Sequence, residues 1–260
     1  MEIKKDRTGE TNYNTHGTLM KIIEFKRCDN LTVEFQDKYK AKVNTTYYSF
    51  KKGKVKNPYD KSVYNVGCIG EGKYVSRVNG KATKIYETWQ RMLFRCYEPY
   101  RLNKYPTYID VYVCDEWLNF QNFAKWYEEN YYECNGEEMH LDKDILFKDN
   151  KIYSPNTCIF VPLRINILFV KKQNCRGEYP IGVYYDKKNK NLRVHSNILI
   201  NNKAKRISLG SFPIDKPFQA FTAYKNFKEN YIKQVADEYK DLIPTKLYNA
   251  LYNYKVEIND

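Results

Sequence analysis

The stretch LDKDILFKDNKIYSPNTCIFVPLRIN, residues Leu141–Asn166, decides the fold predicted for the middle of this chain. Asp142 and Asp144 flank a lysine near its start, and a run of turn-forming residues follows. A short apolar strand that contains a cysteine then leads into a helix-like run. The predicted order is strand, loop, strand and helix, with carboxylates at one end and the amide of Asn166 at the other.

This arrangement offers the groups that a metal-dependent nuclease needs. Such an enzyme uses a cation to neutralise the scissile phosphate and a base to activate water. Because alternate residues of a strand share a face, Asp142 and Asp144 point to the same side and, with Asn166, offer oxygen ligands suited to Mg²⁺. His140, two residues before Asp142, is the candidate base. In the alternative interpretation, the aspartates pair with Lys143 and only fix the turn.

Two helices are predicted upstream of this stretch. Apolar residues recur at helical spacing from Ile85 to Cys96, and a second helix is predicted from Asp115 to Tyr131 with an aromatic stripe along one face. Stripes of this kind are typical of a buried core rather than of a surface that stacks on bases.

Residues 86–166 resemble the phage-type HNH endonuclease family. The matching motifs are Trp89-x-x-Met92 with Arg95-Cys96-Tyr97, Val113-Cys114-Asp115-Glu116-Trp117 with Phe120, and Leu141-Asp142-Lys143-Asp144 with Asn150, Tyr153, Pro155, Cys158 and Asn166. The resemblance implies a ββα-metal core that cleaves phosphodiester bonds of DNA with Mg²⁺ or Mn²⁺. It also implies that Asp142, Asp144 and Asn166 are the metal ligands.

Two positions depart from the family pattern. Lys143 stands where the family has the histidine that takes a proton from water, and a lysine is a poor base unless it is strongly desolvated. Thr157 stands where the family has the asparagine that orients this base. The candidates for catalysis are therefore His140, Asp142, Lys143 and Asp144, and both cleavage of DNA and its loss stay open.

The C-terminal third has a different pattern. Residues 182–212 contain three strand patterns, broken at 186–190 and 201–203, and Pro217 opens an amphipathic helix predicted to run to Lys240. In the second strand, polar and apolar residues alternate between the two faces, with Arg193 and His195 on one side and Leu192 and Val194 on the other.

This pattern resembles the Apetala/ethylene-response-factor DNA-binding domain. The matching residues are Gly182-Val183, Leu209-Gly210-Ser211-Phe212 and, in the helix, Ala220, Ala223 and Tyr224, whereas Leu192 stands where a tryptophan is usual. The resemblance implies a three-stranded sheet, backed by one helix, that enters the major groove of DNA. The residues expected to contact DNA are Tyr184, Arg193, His195, Lys203, Lys205 and Arg206.

Residues 16–70 are predicted to form a small β-rich module with a barrel-like sheet. Residues 19–25 and 31–35 form a predicted hairpin around Cys28-Asp29-Asn30, and residues 47–50 are read as a further strand. The glycines at 67, 70 and 72 then predict a linker loop. The role of this module stays open.

The charge distribution favours a polyanionic partner. The chain of 260 residues has a net charge of +13. Residues 38–56 hold seven lysines and no acid, residues 171–206 hold ten basic residues against two acids, and the segment between them, 108–149, has a net charge of −8. Basic segments on both sides of an acidic centre are expected of a protein that grips the DNA backbone.

The cysteines and the N-terminus predict an intracellular protein. The seven cysteines are at least 17 residues apart, which excludes a paired zinc knuckle and favours reduced thiols. The N-terminus lacks the apolar core of a signal peptide, and no segment reaches transmembrane length. We therefore expect the cytoplasm of a bacterium or of a phage-infected host cell, no zinc, no membrane contact, and no indicated protein partner.

These observations predict an α+β protein with three domains, 1–75, 76–172 and 173–260. The predicted function is that of a DNA-binding HNH-type homing endonuclease from a phage or mobile element. The first alternative is a catalytically inactive DNA-binding regulator or anti-defence protein of a phage. A third possibility is a protein-binding inhibitor whose acidic face mimics DNA, although the basic segments on both sides argue against it.

Overall fold

The computed structural model describes residues 6–104, 108–170, 178–200, 203–258 and 260. Helices and largely antiparallel sheets both occur, so the predicted α+β class is confirmed. The chain forms two compact units, of which unit 1 comprises Met1–Asn130 and Lys151–Pro155, and unit 2 comprises Tyr131–Asn150 and Asn156–Asp260. Residues of the predicted second domain occur in both units, and the boundaries of the three predicted domains stay predictions.

Unit 1 begins with a four-stranded antiparallel sheet. Its strands are β1 (Thr11–Tyr13), β2 (Leu19–Arg27), β3 (Asn30–Phe35) and β4 (Lys42–Thr45), hydrogen-bonded in the order β1-β2-β3-β4. The predicted hairpin is confirmed, because β2 and β3 pair around the turn at residues 28–30. Alternate residues such as Met20, Ile22 and Val33 are buried in one apolar core. In the described residues the sheet keeps two open edges, so it is not a closed barrel.

The strand predicted at residues 47–50 is wrong, because these residues form a short helix, α1 (Tyr47–Lys51). Thr46 caps this helix, since its hydroxyl oxygen accepts a hydrogen bond of 3.1 Å from the backbone N–H of Ser49. Phe50 is the buried side chain of the helix and joins the core of the sheet. The cap and this one buried contact outweigh the strand preference of the aromatic residues.

The middle of the chain contains short elements around two main helices. In chain order they are β5 (Arg77–Val78), β6 (Lys81–Ala82), α2 (Lys84–Tyr97), α3 (Pro99–Lys104), β7 (Tyr112–Val113), a 3-10 helix (Asp115–Leu118), α4 (Phe120–Asn130), β8 (Met139–Asp142), β9 (Ile152–Tyr153), β10 (Ile159–Pro162) and α5 (Leu163–Ile167). The helix predicted from residue 85 is confirmed as α2, whereas the second one is interrupted at Asn119.

The predicted aromatic core of unit 1 is confirmed. Trp89, Trp117, Phe120 and Phe123 are fully buried. The indole N–H of Trp89 donates a hydrogen bond of 2.7 Å to the backbone oxygen of Trp117 and so joins α2 to the 3-10 helix. Strand β7 pairs with β9 in parallel, which adds Lys151–Pro155 to this unit.

The glycine loop at residues 67–72 is packed and is not a linker. A Cβ atom added to Gly67 would lie 2.6 Å from Cδ1 of Leu93 and 2.9 Å from the ring of Trp89. The absence of side chains lets the backbone approach α2 closely. The glycine content alone predicted a linker, whereas the loop packs against this helix.

The C-terminal part of unit 2 is a sheet covered by a helix. Its elements are β11 (Val183–Asp186), β12 (Asn191–Ile200), β13 (Lys203–Phe212), α6 (Pro217–Glu238) and α7 (Thr245–Tyr252). The three strands are antiparallel in the order β11-β12-β13. Leu192 and Val194 pack against Ala220, Phe221 and Tyr224 of α6. The predicted strands and helix are thus confirmed.

Replacement of Gly182 tests the contact between this sheet and α6. Gly182 has a φ of +80°, and a Cβ atom there would lie 2.1 Å from the ring of Tyr224. Because strain and overpacking add, we expect Gly182→Ala to lower the free energy of unfolding by about 2–4 kcal/mol in urea titrations.

Gly136→Ala is the matched control in the same unit. Gly136 has a φ of +69° but no atom within 4 Å of an added Cβ, so only the backbone strain of about 1 kcal/mol applies. Equal losses in the two variants would contradict the packing of Gly182 on Tyr224.

Candidate functional site

The predicted strand–loop–strand–helix stretch forms a small ββα arrangement in unit 2. Strand β8 pairs with β10 in antiparallel register, with Asp142 opposite Ile159 and His140 opposite Val161. Helix α5 follows β10 directly and packs against both strands. All four residues of β10 are buried. The two strands therefore give the polar residues at the end of β8 a rigid base.

Asp142 closes the turn that follows β8. Its Oδ1 atom accepts hydrogen bonds from the backbone N–H groups of Asp144, at 2.8 Å, and Ile145, at 2.7 Å. Burial raises the pKa of the Asp142 carboxyl, although the two backbone hydrogen bonds act in the opposite direction. One oxygen of this predicted metal ligand is thus engaged by the turn itself.

Lys143 is buried, with 6% of its surface exposed, and its ammonium group lies inside the turn. The Nζ atom donates to Oδ1 of Asp144 and to the backbone oxygen of Asn150, both at 2.6 Å. The side-chain N–H of Asn150 in turn donates to the backbone oxygen of Lys143 at 2.9 Å. Lys143 and Asn150 therefore tie together the two ends of the turn from 143 to 150.

The remaining two candidates are not joined to this turn by hydrogen bonds in the described part of the chain. His140 shares a strand face with Asp142, and its Nε2 atom is buried without a hydrogen-bond partner, 3.7 Å from Oε1 of Glu138. Asn166 lies on α5 and is partly buried. Within the described ranges, its amide makes no hydrogen bond to Asp142 or Asp144.

The donor atoms present do not fit a divalent cation in this arrangement. Among the residues that the structure describes, no group of three or more His, Cys, Asp or Glu side chains is placed to hold a metal ion. A cation bound to Asp142 and Asp144 would also lie beside the ammonium of Lys143, which repels it. Binding of Mg²⁺ or Mn²⁺ by Asp142, Asp144 and Asn166 thus stays a prediction that requires Lys143 to move.

The C-terminal sheet brings four of the six predicted DNA-binding residues to one face. Arg193 and Asn197 alternate with the buried residues of β12, and their partners on the neighbouring strands are Tyr184 and Arg206. These four residues therefore point away from α6. A β-bulge between Val194 and His195 shifts the pairing, and it places His195 opposite Ser208. We call this surface the sheet face; Arg193 and His195 are half-buried, and the exposed members are Tyr184, Asn197, Arg206 and Ser208.

Lys203 and Lys205 project from the opposite side of β13. Lys205 pairs with Ile198, which lies on the side of the sheet that faces α6, and Lys203 shares its strand face. Both lysines are exposed. Their contact with DNA stays a prediction, and the register separates them from the sheet face.

The sheet face combines positive charge with an aromatic surface. Tyr184, with 42% of its surface exposed, stacks on His195 at a centroid distance of 4.9 Å. Burial, followed by the positive charges of Arg206 and Arg193, lowers the pKa of His195, so the imidazole is neutral near neutral pH.

Asp186 is a site residue that the sequence analysis missed. Its carboxylate accepts from Nε of Arg193 at 3.2 Å and from the backbone N–H groups of Lys188 and Asn189. It therefore holds both the β11–β12 turn and the guanidinium of Arg193. The Asp-Lys-Lys-Asn sequence of the turn is the signal that could have revealed this role, because Asp favours such turns.

Comparison with known proteins yields no match: no family model, no curated protein and no solved structure matches the chain. Among the described residues, no helix is both long and apolar enough to cross a membrane. The six cysteines within the described ranges are free thiols, and Cys175 lies outside those ranges.

Two substitutions of Asp142 distinguish a turn-forming role from a need for its charge. Because burial disfavours the ionised carboxyl, its raised pKa lowers stability as the pH rises above the unfolded value of about 3.9. An asparagine keeps the acceptor oxygen and removes this penalty. We expect Asp142→Asn to unfold at the wild-type temperature or above it near neutral pH, with the difference vanishing near about pH 4.

Asp142→Ala removes the acceptor of both backbone hydrogen bonds. We expect it to lose about 1–3 kcal/mol of the free energy of unfolding, measured in the same thermal and urea experiments. A variant Asp142→Asn that is as unstable as Asp142→Ala would show that the negative charge, and not the turn, is what the fold requires.

Proposed function

We propose that the protein binds duplex DNA through the sheet face. The observation that carries this proposal is the register that aligns Arg193 and Arg206 beside the stacked pair of Tyr184 and His195, on the side away from α6. The major groove admits a β-ribbon, and arginine is the side chain that most often reads guanine there. Geometry and charge of this surface thus suit base contacts.

The turn between β11 and β12 supplies charge for the DNA backbone. Lys187, Lys188 and Lys190 are exposed in this turn, next to Arg193. Phosphate contacts provide most of the affinity of such proteins and set their orientation, whereas base contacts set the sequence preference. In this proposal the turn lysines bind phosphates, and the sheet face reads bases.

We further propose that the ββα arrangement is structural, so that the protein is a DNA-binding regulator or anti-defence protein of a phage. The supporting observation is the buried ammonium of Lys143, which neutralises Asp144 and fills the turn. A protonated lysine donates hydrogen bonds and does not accept a proton from water. The resemblance to phage HNH proteins then reflects a scaffold that is kept without its chemistry.

An HNH-type homing endonuclease with a divalent cation is the second candidate. The observation that favours it is His140, whose unpartnered Nε2 atom lies on the same strand face as Asp142. A histidine there could take the role of the missing base. The two candidates share DNA binding and differ in cleavage.

Incubation with supercoiled plasmid and Mg²⁺ or Mn²⁺ separates the two candidates. We expect no nicking by the wild type, because Lys143 occupies the position of the base. Lys143→His tests whether the lysine is what prevents nicking, since it introduces a base and removes the ammonium beside Asp144. Nicking by the wild type that is lost in both Asp142→Asn and His140→Gln would establish the endonuclease instead.

Substitutions of two neighbouring cations of β13 test whether the sheet face binds DNA. Arg206→Ala and Lys205→Ala each remove one positive charge, but from opposite sides of the strand. We expect Arg206→Ala to weaken duplex binding by about 1–3 kcal/mol and to reduce the salt slope by about one if a phosphate contact is lost. Lys205→Ala should change affinity only slightly in the same fluorescence titrations. Equal effects would mean that only the net charge matters.

A further inference from the structure

The segment that follows α1 in unit 1 carries a row of exposed lysines. In the segment after α1, burial alternates: Lys52, Lys54 and Lys56 are exposed, whereas Gly53, Val55 and Asn57 are buried. Val55 belongs to the apolar core of the sheet, so the segment is anchored from beneath. Lys54 and Lys56, which flank Val55, therefore project away from this core, and Lys52 is exposed at the C-terminal cap of α1.

Exposed tyrosines lie beside this segment. Nζ of Lys54, the middle lysine, lies 5.9 Å from the ring centroid of Tyr48, of which 64% is exposed. After the last lysine, the amide of Asn57 donates to Oδ2 of Asp37 at 2.7 Å and so ties the row to the turn that carries Tyr39.

The turn that carries Tyr39 presents an aromatic surface together with a further cation. Tyr39 is 48% exposed and stacks on Tyr59 with a centroid distance of 3.8 Å. Nζ of Lys38 lies 4.9 Å from the centroid of the Tyr39 ring. We call the surface made of Lys38, Tyr39, Tyr48, Lys52, Lys54 and Lys56 the lysine–tyrosine strip.

The positive charge of the strip is not compensated. In the described residues, none of its four lysines forms a salt bridge, whereas Lys26, Arg27 and Lys42, in strands of the N-terminal sheet, each have an acidic partner. The nearby Asp37 and Asp60 accept hydrogen bonds that hold turns and side chains of this module. The acids near the strip thus serve the fold and leave its lysines to attract anions.

We propose that the lysine–tyrosine strip binds single-stranded nucleic acid. Lysines spaced along an anchored segment suit successive phosphates, and exposed tyrosines suit unpaired bases, whose faces are free to stack. Bases of a duplex are already stacked on each other, so a duplex would use only the lysines. The inference is independent of duplex binding by the sheet face, because the two surfaces consist of different residues.

Fluorescence anisotropy with the full chain tests this proposal. The probes are oligothymidylate of about a dozen nucleotides, oligouridylate of the same length, and a duplex of that length. We expect both single strands to bind, and a comparison of the two tells whether the DNA or the RNA backbone is preferred. The triple variant Lys52→Gln/Lys54→Gln/Lys56→Gln should bind the single strands at least tenfold more weakly, with a salt slope reduced by about two.

Two further variants isolate the effect of position from that of charge. Lys26→Gln/Arg27→Gln/Lys42→Gln removes the same charge from strands of the N-terminal sheet in the same unit and should leave single-strand binding nearly unchanged. Tyr48→Ala removes a stacking surface and should weaken binding about tenfold without a change in the salt slope. Thermal unfolding of each variant verifies that the sheet is intact.

The possible outcomes decide the proposal. Equal weakening by the two triple variants, or wild-type binding to vesicles of anionic lipid but not to single strands, would overturn it. Arg206→Ala should leave single-strand binding intact, and the strip variant should retain duplex binding. A failure of the strip is therefore distinguishable from a failure of the sheet face.

Discussion

Alternation of side chains between two sides of an extended chain is the constraint on which the candidate surfaces depend. In β12, burial of Leu192 and Val194 fixes the half-exposed positions of Arg193 and His195 on the other side. In the segment after α1, burial of Val55 has the same effect on the flanking lysines. Apolar packing of one side thus determines where charge is displayed on the other.

A buried ammonium group requires compensation, and Lys143 obtains it from Asp144 and a backbone oxygen. Removal of a charge from water is costly unless the charge is paired and hydrogen-bonded. The negative charge of the carboxylates can be balanced either by a divalent cation between them or by a lysine in the same turn. In the proposal that the ββα arrangement is structural, Lys143 takes the place of the cation.

Much of the fold could be predicted from sequence because long periodic segments carry a strong signal, as in α2, β12 and α6. The errors arose where a local interaction outweighed periodicity. Thr46 caps a helix at residues 47–50, where the aromatic residues favour a strand. Gly67 packs against α2, although glycine suggests a loop. Such contacts depend on three-dimensional neighbours that spacing alone does not specify.

The residues of the candidate site could be predicted from the sequence, but their hydrogen-bond partners could not. The sequence places Asp142, Lys143 and Asp144 together, yet the contact of Lys143 with the oxygen of Asn150 crosses a turn whose shape periodicity does not reveal. The division of the β13 cations had the same origin. Lys205 and Arg206 were expected to act together, although successive residues of a strand point to opposite sides, and the pairing register shows that Arg206 is the one on the sheet face.

The β-bulge beside His195 determines which cations of β13 lie on the sheet face, and it consists of a single extra residue. Val194 pairs with Gly210 and His195 with Ser208, so Leu209 is the extra residue of β13. If the bulge were absent and Leu209 paired with His195, the parity of the strand would invert, and Lys205 and Ile207 would replace Arg206 and Ser208 on the outer surface. Loss of the bulge would therefore exchange a polar, arginine-bearing surface for a partly apolar one without altering any side chain. A shift of the pairing by one residue in this strand thus changes recognition more abruptly than a substitution does.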